Sequence, residues 1–399
     1  MVEQNKAANI SEWQNKKIAV VCDWLFEYGG SERVVEQILL CCPDADLFAL
    51  TDFVPEDQRG FLQGRKVHTS FLQKLPGART RFWYYLWLMP LAIEQIDLSH
   101  YDIVISISHA VAKGVLVGPD QLHISYVQSP LRYAWDMQHT YLAQSGMERG
   151  ILSMAARWML HKLRNWDVRS ANGVDYLIAN SGFIRRRMAK TYRRESTVMY
   201  PPVDIARFVP AERKQDYYVT VSRLVYYKHM QTIVKAFALM PDKKLIVIGD
   251  GPERAQIEAL LTPNIEMKGF LPTDEVVASI QGASAFLFAA LEDFGIAPIE
   301  AQACGTPVIA YGKGGATETV RGLDMTEPTG VFFTEQTPES ICAAVRQFEA
   351  LSQKIEPIDC RKNAERFSNA RFCDEFTAFV SDCWRNFRLG FTDRSGPLR

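Results

Sequence analysis

Short apolar runs alternate with helix-like segments along almost the whole of this 399-residue chain. Each run has about the length of a buried strand, and a helical pattern after each run is typical of a parallel α/β sheet. We predict strands at Ile18–Cys22, Asp46–Leu50, Ile103–Ile107, Ile124–Val127, Tyr176–Ala179, Tyr218–Ser222, Lys244–Ile248, Ile265–Lys268, Ala285–Phe288 and Pro307–Ala310. The alternation therefore predicts an α/β fold.

The alternation is interrupted once, at Tyr200-Pro201-Pro202-Val203-Asp204. Two consecutive prolines remove two donors and force extended backbone, which favours a domain linker. Longer helical patterns run from Met154 to Ala171 and from about Arg371 to Phe387. The sequence thus predicts two α/β halves and a helical tail. Because ligands bind beyond the carboxyl ends of parallel strands, two facing sheets would share one cleft.

The composition excludes several classes of protein. A formal net charge of −1 gives no overall attraction to nucleic acid. The eight cysteines include no CxxC pair, which suits a reducing cytoplasm. There is no apolar stretch of membrane-spanning length, and the first sixteen residues are too polar for a signal peptide. No HExxH or GxSxG sequence is present, so metal hydrolysis and serine-nucleophile chemistry are not expected.

Two acids are separated by seven residues: Glu292 lies where a predicted strand ends, and Glu300 begins the small-residue helical run Glu300–Ala303. Gly295 allows the backbone to approach a ligand closely. The amides of Gly295, Ile296 and Ala297 lie near the helix N-terminus, where free donors and the helix dipole favour an anion. The acids can accept hydrogen bonds from sugar hydroxyls. The alternative is two solvated glutamates around a strand–helix junction.

Two cations, Arg223 and Lys228, follow the first predicted strand of the second half. They can neutralise a diphosphate, Arg by forking onto two oxygens and Lys as a point charge. Each charged hydrogen bond contributes roughly 1.5–3 kcal/mol, which is enough to hold a nucleotide at micromolar concentration. Solvated surface charge is the alternative.

Two glycine-rich loops also follow predicted strands. Gly29 and Gly30 come after the first strand, and their free amides can hold a phosphate. Since residues 28 and 33 are Tyr and Arg, this loop lacks the GxGxxG sequence of nicotinamide-binding folds. Gly312, Gly314 and Gly315 form the second loop. In both places a simple turn is the alternative to ligand contact.

One histidine, His109, follows the predicted strand Ile103–Ile107. At a strand end it can bind a sugar hydroxyl or stabilise charge near a reacting carbon. A histidine with a purely structural role is the alternative.

A basic and aromatic segment runs from Arg59 to Met89. Its first part, up to Arg81, has six Arg or Lys residues and no acid, and its last eight residues are Phe-Trp-Tyr-Tyr-Leu-Trp-Leu-Met. Such a segment favours binding to an anionic membrane surface. Each basic residue close to that surface contributes roughly 1 kcal/mol to the binding free energy. A core-facing helix with a solvated basic flank is the alternative.

Taken together and in this order, the candidate residues resemble the retaining GT-B glycosyltransferases of family 4, the group 1 transferases, over nearly the whole chain. The motifs that carry the resemblance are Gly29-Gly30, His109, Asn180-Ser181, Tyr200-Pro201-Pro202-Val203-Asp204, Ser222-Arg223 with Lys228, Gly249-Asp250-Gly251 and Glu292-x7-Glu300. Two further stretches, Ala110–Gly114 and Ser129–Asp136, resemble bacterial mannosyltransferases of O-antigen or exopolysaccharide synthesis. Tyr226 and Tyr227 depart from the family pattern, in which smaller or acidic residues are common.

The resemblance implies a GT-B fold, with two Rossmann-like domains whose parallel sheets face an interdomain cleft. Residues 1–200 would form an acceptor-binding domain, and a C-terminal helix at about 376–399 would return to it. Residues 201–375 would form the domain that binds the nucleotide sugar.

The resemblance also implies roles for individual residues. Arg223 and Lys228 would neutralise the donor diphosphate, Glu292 would bind sugar hydroxyls and His109 would lie beside the sugar; we predict these four as catalytic. The other predicted donor contacts are Gly29 and Gly30 at the diphosphate, Gly269 and Phe270 at the base, Phe294, Gly295, Ile296 and Ala297 at sugar and phosphate, and Glu300 at the ribose. Family members need no metal and use front-face attack, in which the leaving phosphate helps to deprotonate the acceptor.

The implied function is transfer of a hexose, mannose from GDP-mannose, to a lipid-linked glycan. The protein would be cytoplasmic and peripheral on the inner membrane through Arg59–Met89, with no metal, other cofactor or nucleic-acid partner. The alternatives are another donor such as GDP-rhamnose or a UDP-sugar, a sugar-nucleotide epimerase of the same fold, and an inactive partner in a glycan-assembly complex.

Overall fold

The computed structural model describes residues 11–211 and 213–393. They form two α/β units: unit 1 contains the chain up to Tyr200 and from Phe372 onward, and unit 2 contains Pro201–Arg371. The first ten residues of the predicted domain 1–200 and the predicted helical residues 394–399 lie outside the described residues.

Unit 1 is built on a seven-stranded parallel sheet. Its strands are β1 (Ile18–Cys22), β2 (Asp46–Ala49), β3 (Val67–Thr69), β4 (Ile103–Ser108), β5 (Leu122–Val127), β6 (Tyr176–Ala179) and β7 (Thr197–Val198). Their order across the sheet is β3-β2-β1-β4-β5-β6-β7. The strand order runs outward in opposite directions from β1 and β4, so these two strands flank the switch point of the sheet.

Helices cover both faces of this sheet. They are α1 (Ser11–Gln14), α2 (Gly30–Cys41), α3 (Met89–Glu94), α4 (Gln138–Gln144), α5 (Ile151–Asn172) and α6 (Gly182–Tyr192). Alternate strand residues enter two different cores: Val20 and Ile105 pack on one face, and Ala19 and Val104 on the other. Burial on both faces explains why the strands are continuous apolar runs.

Unit 2 contains a six-stranded parallel sheet. Its strands are β8 (Tyr218–Val221), β9 (Leu245–Ile248), β10 (Ile265–Gly269), β11 (Ala285–Phe288), β12 (Val308–Tyr311) and β13 (Gly330–Phe333). Its helices are α7 (Met230–Ala238), α8 (Arg254–Glu258), α9 (Thr273–Gly282), α10 (Ile296–Ala303), α11 (Ala316–Thr319), α12 (Pro338–Leu351) and α13 (Pro357–Glu365). The strand order β10-β9-β8-β11-β12-β13 places the switch point between β8 and β11.

The last helix, α14 (Asn369–Asp393), supplies part of the core of unit 1. Phe372, Phe376, Val380 and Trp384 are spaced by four residues, lie on one side of the helix and are buried with the residues of β1. The helix that we expect to return to the first domain begins at about 376 in the prediction, and in the structure unit 1 resumes at Phe372.

The predicted fold, with two Rossmann-like units and parallel sheets, is confirmed. Three strands are absent from the prediction. β3 and β7 are edge strands of three and two residues, too short to produce a recognisable pattern. β13 begins with Gly330, which weakens a strand pattern, although a Cβ there would lie 2.1 Å from the Val308 carbonyl oxygen. Close approach of two strands therefore requires this glycine.

His123 makes the stability of unit 1 depend on pH. Its ring is fully buried in β5, and Nε2 lies 2.9 Å from Ser106 Oγ. Burial lowers the pKa of His123 from 6.5 to about 4. As a result, His123 in the unfolded chain binds a proton at a higher pH than His123 in the folded chain. The contribution of His123 to the free energy of unfolding is therefore constant above pH 6.5 and declines between pH 6.5 and 4.

We expect the wild-type protein to lose about 2 kcal/mol of unfolding free energy through this residue between pH 7.5 and 5. His123→Gln should lose correspondingly less, because Gln does not titrate. All eight tryptophans belong to unit 1, so urea unfolding followed by tryptophan fluorescence reports on this unit. An equal pH dependence in both proteins would contradict the prediction.

Candidate functional site

In unit 2, the charged candidates lie in the loops after β8 and β11, the strands at the switch point. Lys228 ends a 3-10 turn (Tyr226–Lys228), and Glu292 follows β11. Lys228 Nζ and Glu292 Oε1 form an ion pair, and only 20% and 19% of the two side chains are exposed. Arg223 lies exposed in the same loop as Lys228. The structure thus joins two residues that the sequence analysis assigns to different parts of the donor.

Tyr227 supports the lysine. Lys228 Nζ lies 5.5 Å from the centroid of the Tyr227 ring, at cation–π distance. Tyr226 is 60% exposed, and its ring centroid lies 5.9 Å from that of His229. Of the two tyrosines that depart from the family pattern, Tyr227 therefore contacts Lys228 and Tyr226 packs against His229.

Gly295 determines how the chain passes from β11 into α10. Its φ of 91° is in the left-handed region that favours glycine, and a Cβ would lie 3.3 Å from the Phe288 ring. Phe294 is buried and anchors the loop. The helix begins at Ile296, before the predicted start at Glu300, so Glu300 lies in its second turn. The predicted anion donors, including the Ala297 amide, are the first amides of this helix.

The loop at 312–315 packs against the backbone that carries Glu292. Gly315 N donates to Glu292 O at 2.8 Å. A Cβ on Gly315 would lie 2.3 Å from Phe294 Cα, and a Cβ on Gly314 would lie 2.5 Å from Glu292 O. Close backbone packing, which the sequence analysis did not consider, explains these glycines.

Similar packing supports the loop that carries Arg223. Gly249 and Gly251 have φ values of 139° and 156°, and a Cβ on Gly249 would lie 1.8 Å from Ser222 O. Gly249 N donates to Gly269 O at 2.8 Å, which joins the loop after β9 to the last residue of β10. Phe270, the next residue, is 79% exposed. The structure therefore places the predicted base contacts beside the Arg223 loop.

In unit 1, the loops after the switch-point strands β1 and β4 are joined by Asp23, which the sequence analysis missed. Its buried carboxylate accepts hydrogen bonds from the N–H groups of His109, Ala110, Val111 and Ala112 at 2.5–2.9 Å. An acid directly after a buried strand is visible in the sequence. Its partners lie 86 to 89 residues further along, outside the reach of a local pattern.

The ring of His109 packs against Asp23 and Trp24. Its Nδ1 lies 3.1 Å from Asp23 Oδ2, and its ring meets Trp24 edge to face with centroids 4.5 Å apart. Burial lowers the pKa of His109 below 6.5; nearby Asp23 opposes this shift, and Arg132 and Lys113 reinforce it. A neutral imidazole with 30% of its side chain exposed can hydrogen-bond a sugar hydroxyl.

The two stretches that resemble bacterial mannosyltransferases meet at a buried ion pair behind the His109 loop. Lys113, from the first stretch, bonds Asp167 of α5 at 2.5 Å and the Ala110 carbonyl at 3.1 Å. Trp135, from the second stretch, and Tyr192 donate to Asp167 at 2.8 and 3.0 Å. Since an unpaired buried charge costs several kcal/mol, these residues act as one structural unit.

The Gly29–Gly30 turn differs from the prediction in one respect. Gly29 caps α2 with extended backbone, and its N–H donates to Glu32 Oε2 at 3.1 Å. Burial raises the pKa of Glu32 to about 7. Gly30 is exposed. A phosphate that used the Gly29 amide would have to displace the Glu32 carboxyl group.

Within residues 11–211 and 213–393, no group of three His, Cys, Asp or Glu side chains is placed to hold a metal ion. The sequence does contain one Asp-x-Asp, Asp44-Ala45-Asp46. It lies where β2 begins, at the edge opposite to the switch-point loops, and Asp46 accepts a hydrogen bond from Tyr101 at 2.7 Å.

Two family profiles together cover most of the chain. "Glycosyltransferase Family 4" matches residues 28–207, and "Glycosyl transferases group 1" matches residues 204–367. The chain belongs to the family 4, group 1 glycosyltransferases. Solved structures of the same GT-B fold include Anabaena HepE with UDP (TM-score 0.67, 17% identity, 92% of this chain and 100% of that chain). Sucrose-phosphate synthase from Thermosynechococcus elongatus is also similar (TM-score 0.71, 16% identity, 93% and 100%).

Known proteins with related sequences match part of this chain. A GDP-mannose-dependent monoacylated alpha-(1-6)-phosphatidylinositol monomannoside mannosyltransferase of Corynebacterium glutamicum is 32% identical over 178 residues, 37% of this chain and 47% of that protein. A GDP-mannose-dependent alpha-(1-6)-phosphatidylinositol dimannoside mannosyltransferase of Mycobacterium tuberculosis is 26% identical over 244 residues, 57% and 62%. A 2-deoxystreptamine glucosyltransferase of Streptomyces kanamyceticus is 37% identical over 110 residues, 25% and 28%. The chain thus spans about half the length of the mannosyltransferases that it matches.

We expect Gly315→Ala to destabilise unit 2 by about 1–3 kcal/mol, because its Cβ would overlap Phe294. Far-UV circular dichroism during urea unfolding measures the change. Gly60→Ala, where the added Cβ has no atom within 4 Å, is the matched control and should unfold as the wild type does. Equal stability of the two variants would contradict the packing role of Gly315.

Proposed function

We propose that this protein is a retaining, metal-independent glycosyltransferase that moves mannose from GDP-mannose to a lipid-linked glycan. The observation that carries the proposal is the pairing of Lys228 with Glu292 at the switch point of unit 2, beside Arg223 and the N-terminus of α10. Cations and helix amides suit a diphosphate, and a carboxylate suits sugar hydroxyls.

In the proposed reaction, the bond between the sugar C1 and the diphosphate oxygen breaks while the acceptor oxygen bonds to C1 from the same face. Arg223 and Lys228 stabilise the negative charge that grows on the leaving diphosphate. Glu292 binds sugar hydroxyls and positions Lys228. Attack from the same face retains the configuration at C1 without a protein nucleophile. The acceptor proton passes to the leaving phosphate. The imidazole of His109, in unit 1, can hydrogen-bond a sugar hydroxyl.

The named substrates of the relatives support the choice of donor and acceptor. Two of the relatives are named as GDP-mannose-dependent, and their named acceptors are mannosides of phosphatidylinositol. A lipid-linked acceptor would bring the protein to the cytoplasmic face of the inner membrane. The stretches around Lys113 and Trp135 resemble bacterial mannosyltransferases of O-antigen or exopolysaccharide synthesis, and they therefore favour a role in bacterial surface polysaccharide synthesis.

We expect GDP to bind with a dissociation constant on the order of 10 μM, and UDP and ADP about tenfold more weakly. Arg223→Ala and Lys228→Ala should each weaken GDP binding about tenfold or more, because a charged hydrogen bond is lost. Isothermal titration calorimetry makes the measurement, with the exposed Lys235→Ala of α7 as the control. A preference for UDP would contradict GDP-mannose as the donor. Absence of nucleotide binding would favour the alternative that the protein is an inactive partner in a glycan-assembly complex.

We expect Glu292→Gln to keep most of the affinity for GDP, which has no sugar, and to lose about 100-fold in mannose transfer, because a neutral amide holds the sugar hydroxyls less well than the carboxylate does. Transfer is measured from radiolabelled GDP-mannose to a lipid extract of the host bacterium, and NMR of the product gives the anomeric configuration. Treatment with EDTA should leave activity unchanged.

Four further outcomes would contradict this proposal. Full activity of both Glu292→Gln and Arg223→Ala would overturn the site. Loss of activity in EDTA or inversion at C1 would overturn the mechanism. Rapid turnover of the sugar nucleotide without an acceptor would favour an epimerase.

A further inference from the structure

The segment from Arg59 to Met89 divides into a structural part and an exposed part. Arg59 pairs with Asp52 at 2.8 Å, and Arg65 donates to backbone carbonyls of α2 and of the turn after it. These two cations therefore stabilise unit 1. The exposed basic residues of the segment are Lys66, Lys74, Arg79 and Arg81.

The aromatic end of the segment carries an outward apolar stripe. Phe82 and Met89 are buried, whereas Trp83, Trp87 and Leu91 are 60%, 61% and 49% exposed. Their spacing of four residues places them on one side of the nearly continuous helical run through α3. No acid occurs between residues 59 and 93, so this surface has no negative charge of its own.

The first two turns of α5 are also exposed and apolar. The exposed fractions are 82% for Ile151, 75% for Leu152, 67% for Met154 and 65% for Trp158. Lys162 Nζ lies 5.5 Å from the Trp158 ring centroid, and residues 149–166 contain four Arg or Lys and no acid. This end of the helix therefore has the same character as the stripe.

The two segments belong to one layer of unit 1. Phe82, Met89 and Leu160 share the core on one face of the sheet. Trp166 of α5 donates to Glu94 of α3 at 2.7 Å. The exposed tryptophans and cations of both segments thus lie on elements that cover the same face of the sheet.

We propose that these two segments form one surface that binds an anionic lipid bilayer. The Trp83–Leu91 stripe and the first two turns of α5 enter the interface, where tryptophan is favoured, and the exposed cations contact lipid phosphates. Charge selects this partner over a second copy of the chain, because a symmetric contact would place cations against cations. No helix among the described residues is long and apolar enough to cross a bilayer.

Trp24 connects this surface to the candidate site. Its ring lies 5.3 Å from Trp83 and 4.5 Å from His109, edge to face in both cases. An acceptor anchored in the bilayer would therefore reach His109 across a single side chain. This link rests on the proposed function, whereas lipid binding itself does not.

The test is sedimentation of the full chain with phosphatidylcholine vesicles, with and without phosphatidylglycerol, at low and high salt. We expect binding that requires the anionic lipid and weakens with salt. Trp87→Ser with Trp158→Ser should weaken partitioning about tenfold or more, and Arg79→Gln with Arg81→Gln about fivefold per charge. The matched control is Leu239→Ser, a 60% exposed leucine of unit 2, which should bind as the wild type does.

Equal binding to neutral vesicles, or unchanged binding in both double variants, would overturn the proposal. A concentration-dependent dimer in light scattering that the tryptophan variant abolishes, without vesicle binding, would assign the surface to a second copy. If the tryptophan variant fails to fold by circular dichroism, the arginine variant carries the test. GDP affinity of the same proteins separates the two proposals, because vesicle binding without GDP binding contradicts only the proposed function.

Discussion

Each sheet reverses its strand order once, and this reversal decides where the candidate chemistry lies. At β1 and β4, and at β8 and β11, the connections leave neighbouring strands toward opposite faces of the sheet, so the strand ends between them are not covered by a crossing helix. Asp23 and His109 lie at this position in unit 1, and Lys228 and Glu292 in unit 2. Much of the remaining structure holds these four loops in place.

The two units hold their loops by different physical means. Unit 1 uses a buried carboxylate: Asp23 binds four amides, and the Lys113–Asp167 pair lies behind the same loop. Unit 2 uses glycines, because Gly314 and Gly315 have no side chain and their backbone packs directly against the backbone of Glu292 and Phe294. The loop in unit 1 therefore depends on hydrogen bonds to buried charged groups, and the loop in unit 2 depends on close backbone packing.

The fold was predictable because strands buried on both faces are continuous apolar runs that local sequence displays. Interactions between distant residues were not. Glu292 could be placed at a strand end, but its partner Lys228 lies 64 residues away. The partner of the buried Lys113 is Asp167, 54 residues later, which no local pattern indicates. In the basic segment, Arg59 pairs with Asp52 whereas Arg79 is exposed, a difference that the count of basic residues does not reveal.

The last helix has a consequence for synthesis of the protein. Phe372 and Phe376 belong to the core of unit 1, but the ribosome makes them after β1 to β7 and after the whole of unit 2. Unit 2 is continuous in the chain, so it can complete its core as soon as it has been made. The nascent first unit exposes apolar surface for all of that time. The unit that begins the chain is thus the last to close its core, and chaperones have most opportunity to bind it while unit 2 is still being translated.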